Sequence, residues 1–294
     1  MWKGWGGLMT QGYIFLGVDD PDKTTNIECA YALSLSIKLA DPDAETCVVI
    51  HKFAHVPKRY ENGFDYIVEL PYGRTDVNHH DIMLDFWQMY YCTPFDETMF
   101  INTYSLAIDN IISLWEMRKF DSIVFGSAQD YRGGGTYDVS KFIAQARNKI
   151  PEFDTDVIYF RKDLLASEFF KMADPVFKHW RDIFRSHLPE YSLADFDFTM
   201  VINLVAQILG ESYQSPEYFD YTDLSLNFLF DLETDIQTDW LNSVNIWITD
   251  NIDVKINNHR QTGIFYYSDP SFMTTEILRK LHDNYTAVTA TLVE

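Results

Sequence analysis

Short, mostly apolar runs separated by helical patterns are what most limits the folds open to this chain. Residues 12–18 (GYIFLGV), 46–50 (TCVVI), 64–70, 98–101 (TMFI), 122–125 (SIVF) and 156–160 (DVIYF) read as strands. A strand with one wetted face alternates apolar and polar residues; a strand apolar on both sides belongs in a sheet covered on both faces. Between the first two runs, residues 26–39 place Ile27, Ala30, Leu33, Leu35 and Ile37 broadly on one helical face, and Asp41-Pro42-Asp43 stops the helix. Strand, helix, strand in that order predicts crossover connections and a mostly parallel sheet flanked by helices.

The remaining segments extend this plan. Helices are expected over 81–91, 110–118, 164–188 (interrupted near Pro175), 198–209 (ended by Gly210) and 274–285 (capped by Thr274 or Thr275). Residues 129–137 read as a polar loop containing Arg132-Gly133-Gly134-Gly135. Residues 213–249 mix short strand-like runs with acidic turns, and 254–267 read as strand, turn and strand. There is no internal repeat or long linker. The expected organisation is an N-terminal arm (1–11), one α/β domain (12–285) with a smaller C-terminal elaboration, and a tail (286–294).

Apolar residues make up 47% of the chain and aromatics 16%, enough for a large core, so the chain as a whole is not disordered. The net charge of −21 repels nucleic acid and anionic membrane surfaces, and no dense Lys/Arg cluster offsets it. Neither partner is expected. Cys29, Cys47 and Cys92 lack metal-ligand spacing and read as buried thiols of a reducing compartment. No window has transmembrane length and residues 1–8 lack a signal-peptide core, so the expected location is cytoplasmic.

Several phrases, taken in order, resemble the GT-A nucleotide-sugar glycosyltransferases, above all divergent forms from bacteriophages. They are ECAYALSLSIKLADPDA (28–44), FDYIVELPYG (64–73), PFDETMFINTYSLAIDNIISLWE (94–116), DVIYFRK (156–162) and VKINNHRQTGIFYYSDPSF (254–272). The resemblance implies a GT-A-like sheet and a nucleotide-sugar donor near Gly17, Val18 and Asp19, although Asp19-Asp20-Pro21 reads equally as a solvated turn. It also implies an Asp-x-Asp motif after the strand at 98–101, whose carboxylates hold a divalent metal that neutralises the donor diphosphate. Here that strand is followed by Asn102-Thr103-Tyr104, with one neutral amide oxygen and a phenol. The family's later histidine is also missing, because Gly263-Ile264-Phe265 is followed by Tyr266 and Tyr267. With both sites lacking metal-competent side chains, no divalent metal cofactor is expected.

In that case Asn102 and Tyr104 would contact the donor directly. Arg132, Lys255, His259 and Arg260 are the candidates to neutralise the diphosphate, against the alternative of a surface loop and a solvated hairpin. The resemblance places Asp154 and Asp156 beside the donor sugar and acceptor, where a carboxylate bonds sugar hydroxyls or acts as a base. The Asp-Thr-Asp spacing imitates the missing metal motif but falls on the wrong strand of the inferred order. Asp197 is a third candidate carboxylate, and helix N-capping explains it as well. Two functions follow from the resemblance. One is metal-independent transfer of a sugar from a nucleotide-sugar donor to an acceptor. The other is a catalytically inactive relative, a pseudoenzyme serving as a binding or structural module with a protein partner, carried in host cytoplasm or in a virion.

Overall fold

The computed structural model describes residues 10–17, 25–51, 55–72, 83–109, 111–119, 122–133, 145–188, 196–210, 220–223, 244–267 and 270–292. The strands are β1 (Gln11–Leu16), β2 (Thr46–Ile50), β3 (Tyr66–Glu69), β4 (Glu97–Ile101), β5 (Ser105–Ala107), β6 (Ile123–Asp130), β7 (Asp154–Arg161), β8 (Asp220–Asp223), β9 (Ile246–Ile248), β10 (Val254–Ile256), β11 (His259–Arg260) and β12 (Ile264–Tyr266). The principal helices are α1 (Thr25–Ala40), α2 (Leu164–Lys178), α3 (Trp180–His187), α4 (Phe198–Leu209) and α5 (Thr275–Leu292). Nine strands form one mixed sheet in the order β3-β2-β1-β4-β7-β6-β8-β12-β5. β3, β2, β1 and β4 run parallel, as do β6, β8 and β12, while β7 and β5 are antiparallel to their neighbours.

The alternation along each central strand divides the interior into two layers. Tyr13, Phe15, Val48, Ile50, Met99, Ile101, Val157 and Tyr159 face α1 and α5, whereas Ile14, Leu16, Cys47, Val49, Phe100, Ile158 and Phe160 face α2 and α4. Side chains on a strand point alternately to opposite faces, so a run apolar at every position fills both layers. α1 is buried almost all round because α5 covers the side turned away from the sheet. Its two buried serine hydroxyls are satisfied: Ser34 donates to the Gly63 carbonyl at 2.6 Å, and Ser36 donates to the Leu33 carbonyl at 2.8 Å. Among the described residues no helix is long and apolar enough to cross a membrane.

The C-terminal elaboration is a separate three-stranded sheet, β11-β10-β9, packed through Val254 and Ile256 onto the α1 layer. Several boundaries differ from the expectations. Residues Met83–Gln88 form a 3-10 helix before one α-turn at Met89–Cys92, and Ile112–Lys119 is likewise 3-10. Pro175 lies inside α2 without breaking it; the break falls at His179, whose N–H bonds the Pro175 carbonyl at 3.1 Å. The polar Ser127–Asp130 half of β6 is strand, paired to β8, although Gln129 and Asp130 read as loop. α5 runs on to Leu292 instead of ending at Tyr285, and Thr274 caps it, accepting from the Ile277 N–H at 3.3 Å.

Candidate active site

β1 leads through α1 to β2 on one side, while β4 pairs β1 on the other. Such a reversal opens a crevice beyond the strands' carboxyl ends, where ligands of open α/β sheets bind. Gly17 ends β1 there. A Cβ at Gly17 would stand 2.4 Å from Val48 Cγ2 and 2.9 Å from Ile27 Cδ1, so close packing against β2 and α1 requires glycine. Val18 and Asp19, expected beside the donor, lie outside the described residues.

Because β7 is antiparallel to β4, the first residues of β7 lie beside the last residues of β4, with Val157 opposite Ile101. The Asn102 side chain donates from Nδ2 to Asp156 Oδ1 at 2.6 Å, and its main-chain N–H donates to the Asp156 carbonyl at 2.7 Å. Asn102 Oδ1 in turn accepts from the Tyr104 N–H at 3.1 Å. Asp154 Oδ1 accepts from the Asp156 N–H at 3.0 Å. The Asp-Thr-Asp segment, which the sequence assigned to a different part of the site, therefore shares one edge with Asn102-Thr103-Tyr104.

The same edge is tied to its surroundings. Thr103 Oγ1 donates to the Leu16 carbonyl at 2.5 Å, closing β4 onto β1. The Tyr104 hydroxyl donates to Asn26 Oδ1 at 2.5 Å, at the start of α1. The Tyr104 carbonyl accepts from the Tyr267 N–H at 2.9 Å, and the two rings lie 6.3 Å apart. Residues 102–104 and Tyr267 are thus neighbours in space. Tyr267 is fully buried against Cys29, and burial pushes its phenol well above the usual tyrosine range; it also pushes the Cys29 thiol up to about 12.

Asp197 is the N-cap of α4, accepting from the Met200 N–H at 2.8 Å. Thr199, two residues on, bonds Thr155 of β7 at 2.8 Å, which brings the start of α4 against the start of β7. Arg132 follows the end of β6; its N–H donates to Asp130 Oδ1 at 2.7 Å and its guanidinium lies 3.4 Å from the same carboxylate. Asp130 is level with Asp223, Tyr266 and Ser105 in successive strands, so Arg132 belongs to the same edge as Tyr104. It stands about three strand spacings away, on the order of 14 Å.

Lys255 and Arg260 lie away from Tyr104, on a hairpin tied to Tyr131, the neighbour of Arg132, through Gln261 Nε2 donating to the Tyr131 carbonyl at 3.0 Å. They face each other across β10 and β11, and Arg260 is held by Asp253 at 2.7 Å and approaches Asp109 at 3.8 Å. Arg260 borders a hollow with Leu39 and Ala40 at the end of α1, whereas Tyr104 bonds Asn26 at its beginning. Fourteen residues of helix at 1.5 Å each separate those ends by about 21 Å. His259 of the same hairpin lies against Tyr131, ring centroids 5.8 Å apart. Among the described residues no three His, Cys, Asp or Glu side chains are grouped as metal ligands.

Thr103 and Thr155 entered the sequence reading only as the middle residues of their triplets, and Thr199 and Asn203 were not singled out from the sequence. Thr199 and Asn203 did carry a signal, since with Gln207 they stand four apart on one face of an otherwise apolar helix.

No protein-family model matches the chain, and no curated protein does. Solved structures match its fold. The galactosyltransferase LgtC, solved with donor and acceptor sugar analogs, is 13% identical, with 93% of this chain and 95% of that chain covered and a TM-score of 0.51. Mouse xyloside xylosyltransferase 1, in its apo form, is 8% identical, with 88% and 97% covered and a TM-score of 0.51. An active-site mutant of LgtC matches at a TM-score of 0.52 with 12% identity and coverage of 93% and 95%. The chain has the mixed α/β architecture of the GT-A glycosyltransferases.

Proposed function

We propose that this chain binds a nucleotide sugar at the carboxyl edge of β1 and β4 and transfers the sugar to an acceptor without a divalent metal at Asn102 and Tyr104. The observation that carries the reading is the meeting of Asn102 and Tyr104 with Asp154 and Asp156 at the reversal point of a GT-A sheet. An acceptor hydroxyl attacks the anomeric carbon, the bond to the diphosphate breaks, and the nucleoside diphosphate departs. Asp156, oriented by the Asn102 amide, and Asp154 are the groups that bond sugar hydroxyls or take the acceptor's proton. Arg132, on the same edge, is the cation that meets the departing diphosphate, for which a planar guanidinium is suited. Asp197 serves as the cap of α4, and Lys255 and Arg260 stand apart from the reaction.

The test is release of nucleoside diphosphate from UDP- and GDP-sugars in the presence of chelator. The full chain is expected to release it, and Asp156→Asn and Asp154→Asn to slow release by about 100-fold or more, the scale of a lost acid–base group. Release that requires Mn²⁺, or none from any donor, overturns the proposal. A second reading, a non-catalytic relative that keeps the fold as a binding module, is favoured by one observation. The Asn102 amide is already engaged by Asp156 on one side and Tyr104 on the other. Binding of a donor without its turnover would select that reading.

A further inference from the structure

The start of β7 is not regular. Phe125 of β6 is opposite Ile158, yet the next residue, Gly126, is opposite Asp154. Thr155, Asp156 and Val157 therefore have no counterpart on β6. Bulges of this kind interrupt the alternation of a strand and redirect its side chains. Here the alternation reverses across Asp156. Val157 and Tyr159 face the α1 layer, whereas Phe153 stacks on Phe125 in the α2–α4 layer at 4.9 Å, and Thr155 reaches Thr199 on α4. The two carboxylates of the candidate site flank and occupy this reversal.

One helix fixes the bulge from two points. Thr199 Oγ1 and Thr155 Oγ1 are 2.8 Å apart, and Asn203, one turn further along α4, donates from Nδ2 to the Phe153 carbonyl at 3.1 Å. Asn203 is fully buried in an apolar layer, and its Oδ1 has no hydrogen-bond partner among the described residues. An unpaired amide oxygen in such surroundings opposes folding, and an apolar side chain of the same size would not. The Asn203 amide therefore costs stability for the sake of the Phe153 carbonyl, which lies beside Asp154. We infer that Thr199 and Asn203 are positioning residues, which hold the β7 bulge so that Asp154 and Asp156 are presented to the crevice at fixed places. That these carboxylates act on a sugar rests on the function proposed above; the pinning of the bulge does not.

The test uses the full chain carrying Asn203→Leu, Thr199→Val or Thr199→Ser. It reads amide hydrogen exchange at 154–157, the urea midpoint, and nucleoside diphosphate release. Asn203→Leu is expected to speed exchange at 154–157 about tenfold, the effect of one lost hydrogen bond, while the midpoint stays level, because removal of the unpaired Oδ1 offsets the Phe153 carbonyl left without its donor. Thr199→Val should speed the same amides, and Thr199→Ser, which keeps the hydroxyl, should restore slow exchange. Release is expected to fall about tenfold in the first two variants. Exchange at 154–157 that stays at the parent rate, or that rises only together with global unfolding as the midpoint drops, overturns the inference. If Asn203→Leu does not fold, Thr199→Val against Thr199→Ser decides it. If the parent chain releases no nucleoside diphosphate while exchange responds as described, the proposed function fails and the pinning stands.

Discussion

Asn102→Asp places a second carboxylate against Asp156. In the parent chain the Asn102 amide donates to Asp156 Oδ1 at 2.6 Å. The substitution replaces that donor with a second carboxylate. Two such charges relaxed to about 4 Å repel by about 4 kcal/mol at an effective dielectric of 20. Both residues are only partly buried, which lowers the figure. Sharing one proton sets a ceiling, because holding it at pH 7.5 on a carboxyl of ordinary pKa costs about 5 kcal/mol before the new hydrogen bond is counted. A loss of about 2–4 kcal/mol at pH 7.5 follows. The pair's raised pKa makes the folded state bind a proton that the unfolded chain does not hold above pH ~4. In that window stability falls as pH rises, by up to about 1.4 kcal/mol per unit. Urea denaturation should therefore show a deficit at pH 7.5 that has largely gone near pH 4.5. Millimolar Mn²⁺, which the paired carboxylates can bind, should raise the variant's midpoint and leave the parent's unchanged. A variant as stable as the parent at pH 7.5, with the same pH slope, would refute the Asn102–Asp156 contact.

Tyr104→Phe removes the bond to Asn26 and should cost about 1 kcal/mol in urea denaturation, with faster amide exchange at the start of α1. Gly17→Ala drives a methyl group to within 2.4 Å of Val48 and should lower stability by about 1–3 kcal/mol; an unchanged thermal midpoint would contradict the packing there. Asp197→Ala should cost about 1 kcal/mol through the lost cap. Nucleoside diphosphate release that falls about 100-fold in a folded Asp197→Ala protein would instead assign it a chemical role. Burial moves the Cys29 and Cys92 thiols from 9.0 to about 12. Native protein at pH 8 should react with a disulfide reagent about 1000-fold more slowly at these thiols than after unfolding, since the thiolate is the reactive form.

The central sheet was legible because β1, β2, β4 and β7 each carry an unbroken apolar stretch (13–16, 47–50, 99–101 and 157–160) that needed no partner to be recognised. Where a strand is short or polar, the pattern is silent. β5 is three residues long, and the outer half of β6, Ser127–Asp130, is strand because β8 supplies the ladder. The candidate site was legible in its residues but not in its arrangement. Nothing local to Asp154 or Asp156 shows that β7 is antiparallel to β4, which alone sets Asp156 beside Asn102 across 54 positions of sequence. Lys255 and Arg260 follow the same logic in the opposite sense. They precede β12, whose far end meets Tyr104, but Gly263 and Tyr267 are four residue steps apart along the strand, about 13 Å. Arg260 is instead claimed by Asp253.

Isothermal calorimetry of the full chain with UDP, GDP and their hexose conjugates, each in chelator and again in Mn²⁺, tests the central claim most directly. At least one nucleotide should bind with the same affinity in both buffers, and Asp156→Asn should weaken the sugar conjugate more than the bare nucleotide. Absence of binding in both buffers, or binding that appears only when Mn²⁺ is added, would contradict the account.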